Sequence, residues 1–303
     1  MLDVFLTVIL PTFVVAAVGA SLQRWRSIDV GPIGTMVMYL LSPALVLNGL
    51  LKTDLPTEIS FRVIAAALLT LGLAIAMSFA LSVGARHPRS LRSGYALATG
   101  FPNAGNMGIP IAFLAFGDQG LAVAIIIFVV QGTLSWPVGI LIAAQGHSRG
   151  LAPLYSALKV PTLYAVPSAL LIRIMGWNLP TAVGRPIEML ADATIPVMLI
   201  VLGFQLSQGI DWRRWRSLAS SAGVRLTVSA VAAYLITEMI GLGGIAQQTV
   251  IVVAAMPTAI FTTIIATEYD AEPKFVTSAV VISTAASVGT LTILITILQN
   301  WLG

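Results

Sequence analysis

Two asparagines stand between helix breakers in a chain that is otherwise apolar. From Gly100 to Pro110, within eleven residues, lie two prolines, three glycines, Asn103 and Asn106. Side-chain amides offer N–H donors that suit a carboxylate or another anion. Pro102, Gly105, Gly108 and Pro110 supply the interruption, because proline removes a backbone donor and glycine opens conformations that helices exclude. A second break follows the same pattern at Met256-Pro257-Thr258-Ala259, where Thr258 takes the place of Asn103. Gln131 and Asn48 add amides in neighbouring apolar runs. This set can bind an anion but pairs no nucleophile with a base.

The rest of the titratable inventory narrows the chemistry further. Cysteine is absent, which excludes disulfides, thiolate catalysis and cysteine metal sites. His87 and His147 both fall in polar loops, so neither a histidine relay nor a metal centre is expected within the apolar runs. There is no GxSxG, no HExxH and no pair of aspartates inside a run, so enzyme chemistry lacks its parts. No metal and no cofactor is expected. Only two ionisable residues fall well inside apolar runs. Arg225 either snorkels to the surface or attracts substrate, and the structural reading is favoured. Asp192, one turn before Pro196, either caps a helix or is the single candidate for a buried proton carrier. Glu238, Glu268, Asp270 and Glu272 lie at the ends of runs and are expected to be solvated.

These residues need a bilayer around them. The chain is 57% hydrophobic and 9% charged, with mean hydropathy +0.95, whereas soluble domains are about a quarter charged. About 20 apolar residues cross the hydrocarbon core. By that measure ten spans are expected, near 3–22, 30–50, 61–84, 92–115, 120–144, 157–176, 187–207, 217–240, 246–267 and 275–301. The first lacks a basic leader and a small-residue cleavage site, and reads as a retained helix rather than a signal peptide. The net charge of +4 comes from short loops and is explained by topology rather than by nucleic acid. Loops after odd-numbered spans hold eleven Lys and Arg, from Arg24 to Lys274, against four (Lys52, Arg62, Arg173 and Arg185) on the other side. That bias puts the odd loops in the cytoplasm and both termini outside. Trp25, Trp177, Trp212, Trp215 and Trp301 fall at span ends as interfacial anchors, while Trp136, inside span five, reads as packing.

An internal repeat is visible at offsets of 150 to 155. Leu10-Pro11-Thr12-Phe13 matches Val160-Pro161-Thr162-Leu163, Ser42-Pro43 matches Ile195-Pro196, and the two breaks match each other. Ser135 and Ser287 take like places. The expected fold is therefore an all-α polytopic membrane protein of ten helices in a 5+5 repeat, with units 1–145 and 157–303. Since each unit has an odd number of spans, the second is inverted, and broken spans four and nine cross at the midplane. Inverted repeats with paired broken helices characterise secondary transporters.

Half-helices restarting after each break aim positive dipole ends at the crossing, each favouring an anion by about 0.3–1 kcal/mol. A buried charge costs about 2.5–3.5 kcal/mol on the lenient insertion scale. Hydrogen bonds to a charged group, about 1.5–3 kcal/mol each, must close that gap. Asn103, Asn106 and Thr258 are placed to give them, with Gln131 able to reach the cavity and Asn48 on the facing wall. Each of these could instead make an ordinary interhelical hydrogen bond. With at most one carboxylate inside the spans, a uniporter for an organic monoanion, or one whose substrate carries its own proton, is favoured. An ion- or proton-coupled symporter is the alternative, and an anion channel the nearest rival, since broken helices also line pores.

The run Phe101-Pro102-Asn103-Ala104-Gly105-Asn106-Met107-Gly108-Ile109-Pro110 resembles the PN…MGIP signature of the auxin efflux carrier family, which includes the plant PIN proteins. Ala266 to Asp270 and Ser283 to Ser287 resemble that family's ninth and tenth spans. The resemblance implies a fold shared with bile-acid sodium symporters. It implies a scaffold of helices 1, 2, 6 and 7 (about 3–50 and 157–207), usually dimerised, and a transport domain of helices 3–5 and 8–10 (about 61–144 and 217–301). It also implies elevator-type alternating access, with Asn103 holding the substrate carboxylate, Gln131 matching a fifth-span glutamine, and Pro102 and Pro257 as crossover prolines. The long regulatory loop and charged third span of the plant carriers have no counterpart here. The expected partners are a small organic anion of the auxin, malate or malonate kind, the lipid bilayer (a plasma or bacterial inner membrane) and a second copy of the chain.

Overall fold

The computed structural model describes residues 1–52, 55–144 and 162–301. His147, Arg149, Lys159 and Val160-Pro161 of the repeat lie outside the described residues. Those residues fold into eleven helices: α1 (Leu2–Arg26), α2 (Val30–Lys52), α3 (Thr57–Gly84), α4 (Arg89–Gly100), α5 (Ala104–Ala143), α6 (Thr162–Ile174), α7 (Thr181–Leu206), α8 (Trp212–Met239), α9 (Gly244–Ala254), α10 (Phe261–Glu268) and α11 (Pro273–Trp301). No strand occurs among them.

Seven of these (α1, α2, α3, α5, α7, α8 and α11) are long and apolar enough to cross a membrane. The difference from the expected ten has a local cause in each case. The fourth expected span is cut after Gly100, and its second half runs on across Gly117 into the fifth, so that α5 covers both. Gly117 takes φ 63° and ψ −152°, a left-handed backbone that only glycine adopts at little cost. The ninth is divided into α9 and α10, and the sixth is described only from Thr162. Sequence punctuation sets many helix ends. Asp29 caps α2 by accepting from Gly31 N at 3.0 Å, and Asp211 caps α8 by accepting from Arg213 N at 3.1 Å.

Two sets of neighbouring helices stand out, joined by contacts of α5 with α1, α2 and α7. In the first, α7 lies along α1 and α2, and α6 packs on α2. Small residues allow backbone contact there: a Cβ added to Gly203 would stand 1.9 Å from the Ala16 carbonyl oxygen, and one on Gly19 2.4 Å from that of Ile200. Without a hydrophobic force between helices in lipid, such close approach is how they hold together. In the second group α3 packs on α4, α5 and α8, α9 on α5 and α8, and α11 on α4, α8 and α10. The outer surface is apolar, with Leu69, Leu73, Val231, Leu235, Ile293 and Ile297 exposed, as a lipid-facing wall requires. The residues around the two helix breaks (Phe101, Met107, Ala255 and Met256) are fully buried.

Candidate functional site

The two breaks lie against each other. Helix α4 stops because Phe101 is extended (φ −113°, ψ 113°) and Pro102 follows, and Asn103 (φ −78°, ψ 68°) is not helical either. The chain restarts as a π turn over Ala104–Gly108, closed by Gly108 N donating to Asn103 O at 2.9 Å. The second break, between α9 and α10, supplies what the first has lost. Pro102 and Thr258 form an isolated antiparallel bridge, with Asn103 N donating to Pro257 O at 2.8 Å and Ala259 N to Phe101 O at 2.9 Å. Buried backbone groups need partners, and each interruption finds them in the other. Ser283 of α11 completes the arrangement by accepting from Thr258 N at 3.1 Å.

A cavity of about 840 Å³ opens on one side of this junction. Its floor is Pro102, Asn103, Gly105 and Asn106. One wall carries Phe128, Gln131, Ser135 and Trp136 of α5 with Phe261 of α10, and the facing wall comes from α2 (Gly34, Thr35, Met38, Ser42) and α7 (Met198, Val201, Gln205). It reaches out to Val30, Gln208, Glu268 and Thr277, at the ends of α2, α7, α10 and α11 that lie beside the basic loops. Trp136 and Phe261 rings lie 5.4 Å apart, and Phe261 meets Phe101 edge-on at 5.6 Å. Glu268, at the mouth, is the one charged residue lining it among the described residues.

Asn103 is 4% exposed and its Nδ2 has no hydrogen-bond partner in the protein; Gln131, also 4% exposed, has an unpartnered Oε1. Leaving such groups unpaired costs about 1–3 kcal/mol each. Both residues line the same cavity, and a half-turn of a primary amide exchanges donor for acceptor and would bring the buried atom to the cavity side. Asn106 and Gly105 are half-buried beside them. Gly105 is needed for space, since a Cβ there would come 2.8 Å from the Phe128 ring. Gly108 and Pro110 are buried in the restarted helix and do not line the cavity.

Other expected site residues are placed differently. Thr258 is fully buried and donates its hydroxyl to Ala98 O at 2.6 Å, so it ties the two breaks together and does not line the cavity. Pro257 likewise contributes its carbonyl to the bridge. Asn48 is half-buried on α2, beyond the stretch Val30 to Ser42 that forms the facing wall. Asp192 is exposed on the outer surface of α7, which removes the reading of a buried proton carrier. Arg225 does not snorkel. It is 1% exposed, and its guanidinium donates inward to Thr99 O at 3.0 Å and to Ala254 O. Trp136, expected as packing, is part of the cavity wall. The aromatic wall and the α2–α7 wall escaped sequence reading, because apolar residues in an apolar helix carry no signal of what they face. Among the described residues, no cluster of histidine and carboxylate groups could hold a metal ion.

The profile of a family described as membrane transport protein matches residues 4–153 and 150–295. An uncharacterized transporter of Methanocaldococcus jannaschii is 26% identical over 218 residues, 69% of this chain and 68% of that protein. One of Methanothermobacter thermautotrophicus is 26% identical over 195 residues, 64% of each chain. A Rhizobium meliloti protein named "Putative malonate transporter" is 25% identical over 285 residues, 89% of this chain and 87% of that one.

Proposed function

Since the chain belongs to the membrane transport protein family, we propose that it is a secondary transporter carrying a small organic anion, bound where its two interrupted helices meet. One observation carries this reading: the buried, unpartnered Asn103 amide at the floor of an 840 Å³ cavity. In this reading the chain is a 5+5 inverted repeat of ten spans, α4 with the start of α5 making the fourth and α9 with α10 the ninth. The restarted half-helices bring their positive ends to the cavity floor, where the first-turn amides lack partners within the helix.

The substrate carboxylate sits against Asn103, with Asn106 and Gln131 beside it. The remainder of the molecule lies between the α5–α10 aromatic wall and the α2–α7 wall. With no lysine or arginine lining the cavity among the described residues, a single negative charge is easier to balance than two. The group α1, α2, α6 and α7 acts as scaffold, through which two copies pair. The group α3–α5 and α8–α11 acts as the moving transport domain of an elevator cycle. Taking the basic loops as cytoplasmic, both termini lie outside a plasma or bacterial inner membrane, and the cavity opens inward. Export of a monoanion from a negative-inside cell is then downhill by about 2.3 kcal/mol per 100 mV.

Melting of the purified protein against a panel of mono- and dicarboxylic acids, followed by counterflow in proteoliposomes, tests this. Asn103→Ala is expected to weaken binding of the best acid about 10–100-fold, the loss of one charge-assisted hydrogen bond. An acid whose affinity survives that substitution overturns the site, and single-channel currents instead of counterflow overturn the carrier.

A further inference from the structure

Arg225 is the largest fully buried side chain among the described residues. It lies in a five-residue π turn, Val224–Val228, inside α8, a local irregularity common at functional sites. Its Nη1 donates to Thr99 O at 3.0 Å and its Nη2 to Ala254 O, while Nε has no partner. Among the described residues no carboxylate pairs with it. An isolated charge in such a place costs several kcal/mol unless fixed partial charges balance it.

The two carbonyls identify those charges. Thr99 is in the last turn of α4 and Ala254 is the last residue of α9, so one guanidinium spans the C-terminal ends of both helices that the breaks interrupt. Each such end carries roughly half a negative charge, and two halves match one arginine. The N-terminal ends of α5 and α10, on the cavity side, together supply roughly one positive charge. Among the described residues, Glu268 at its mouth is the only fixed anion lining that cavity. In transporters built on broken helices, unwound carbonyls and half-helix C-terminal ends coordinate the coupling sodium or proton.

We propose that Arg225 is a built-in counter-cation, holding with its own guanidinium the place a coupling cation would take at the two helix C-termini. The cavity is thereby left to accept one negative charge without a co-transported ion. This rests on the transporter reading above. Because the arginine belongs to the protein, it makes the outward and the return movement alike, and the net charge moved per cycle is that of the substrate.

The first test needs no substrate. Melting temperature of the purified full chain is measured in sodium, potassium and choline chloride at equal ionic strength. The wild-type protein is expected to melt at the same temperature in all three. Arg225→Gln is expected to melt lower in choline and to recover by roughly 2–4 °C or more with sodium or millimolar guanidinium. A wild-type protein stabilised specifically by sodium, or a glutamine variant that no cation rescues, overturns the proposal. The second test does not depend on the variant folding: potential-driven uptake of indole-3-acetate by wild-type proteoliposomes with sodium replaced by choline. Uptake unchanged within twofold is expected, and a strict sodium requirement overturns the counter-cation. Absence of any organic-acid flux, with cation rescue of the glutamine variant intact, would fault the transporter reading and leave the arginine's role standing.

Discussion

Asn103 and Thr258 occupy matching places in the two breaks, yet they do different work. Threonine's short hydroxyl reaches a carbonyl across the junction (Ala98 O, 2.6 Å) and is used up there, while Asn103 lines the cavity and keeps a buried Nδ2 without a partner. Thr258→Val is accordingly expected to lower stability by about 1–3 kcal/mol in a denaturant or thermal melt, with substrate affinity per folded molecule changed by less than threefold. His87, in the loop between α3 and α4, gives a separate prediction. Its ring contacts Ser82 Oγ at 3.0 Å and Ser217 Oγ at 3.2 Å. Burial, and then the nearby charges of Arg214 and Arg92, hold its pKa below the ordinary value of 6.5. The unfolded chain therefore takes up a proton before the folded one does, so this contribution is intact above pH 6.5 and falls away as the pH drops through that value toward the folded pKa. A melting profile against pH should lose that slope in His87→Gln. Polar residues inside apolar runs were the legible part of the site, and Asn103, Asn106 and Gln131 do line one cavity. Which polar group faces a cavity and which is satisfied by a neighbouring backbone depends on the register between two distant segments, and for Thr258, Asn48 and Arg225 the sequence contains no trace of that register.

At the scale of elements, hydrophobic length and breaker residues located the apolar stretches and the two breaks, while seven helices rather than the expected ten are long and apolar enough to cross a membrane. The expected breaks at Pro102 and Pro257 fall in the interruptions between α4 and α5 and between α9 and α10. Harder to read was Gly117, whose left-handed backbone alone turns one continuous helical stretch into a sharply bent one. Equally hidden was the α1–α7 contact, where the side chain is absent so that backbones can meet. Gly203→Ala would put a methyl group into the Ala16 carbonyl and within 2.7 Å of Ala20 N. Since both obstacles are backbone, the variant is expected to lose about 1–3 kcal/mol or more of stability, read as a lower melting temperature, with no selective loss of ligand affinity.

For the whole molecule, the division into scaffold and transport helices comes from family resemblance rather than from any pattern of residues, and the cavity is lined from both sides of it. Its walls belong to different groups, α2 and α7 on one side and α5 and α10 on the other, so movement of one group past the other would change which membrane face it opens to. The absence of cysteine makes the test direct. Thr35→Cys or Gln205→Cys, introduced singly into oriented vesicles, should react with a membrane-impermeant maleimide added on the side of the Arg213 and Lys274 loops, and reaction should slow at least severalfold with bound substrate. Equal reaction from both sides would contradict a closed outer path.

Neither severed helix can be mended by itself, because the bonds that close each gap belong to the other, some 155 positions away in the chain. Residues 101–103 and 257–259 therefore form a single suture. Loosening one lip should loosen its mate, so amide deuterium uptake at Asn103 and at Ala259 should rise together when only one of the two strips is mutated.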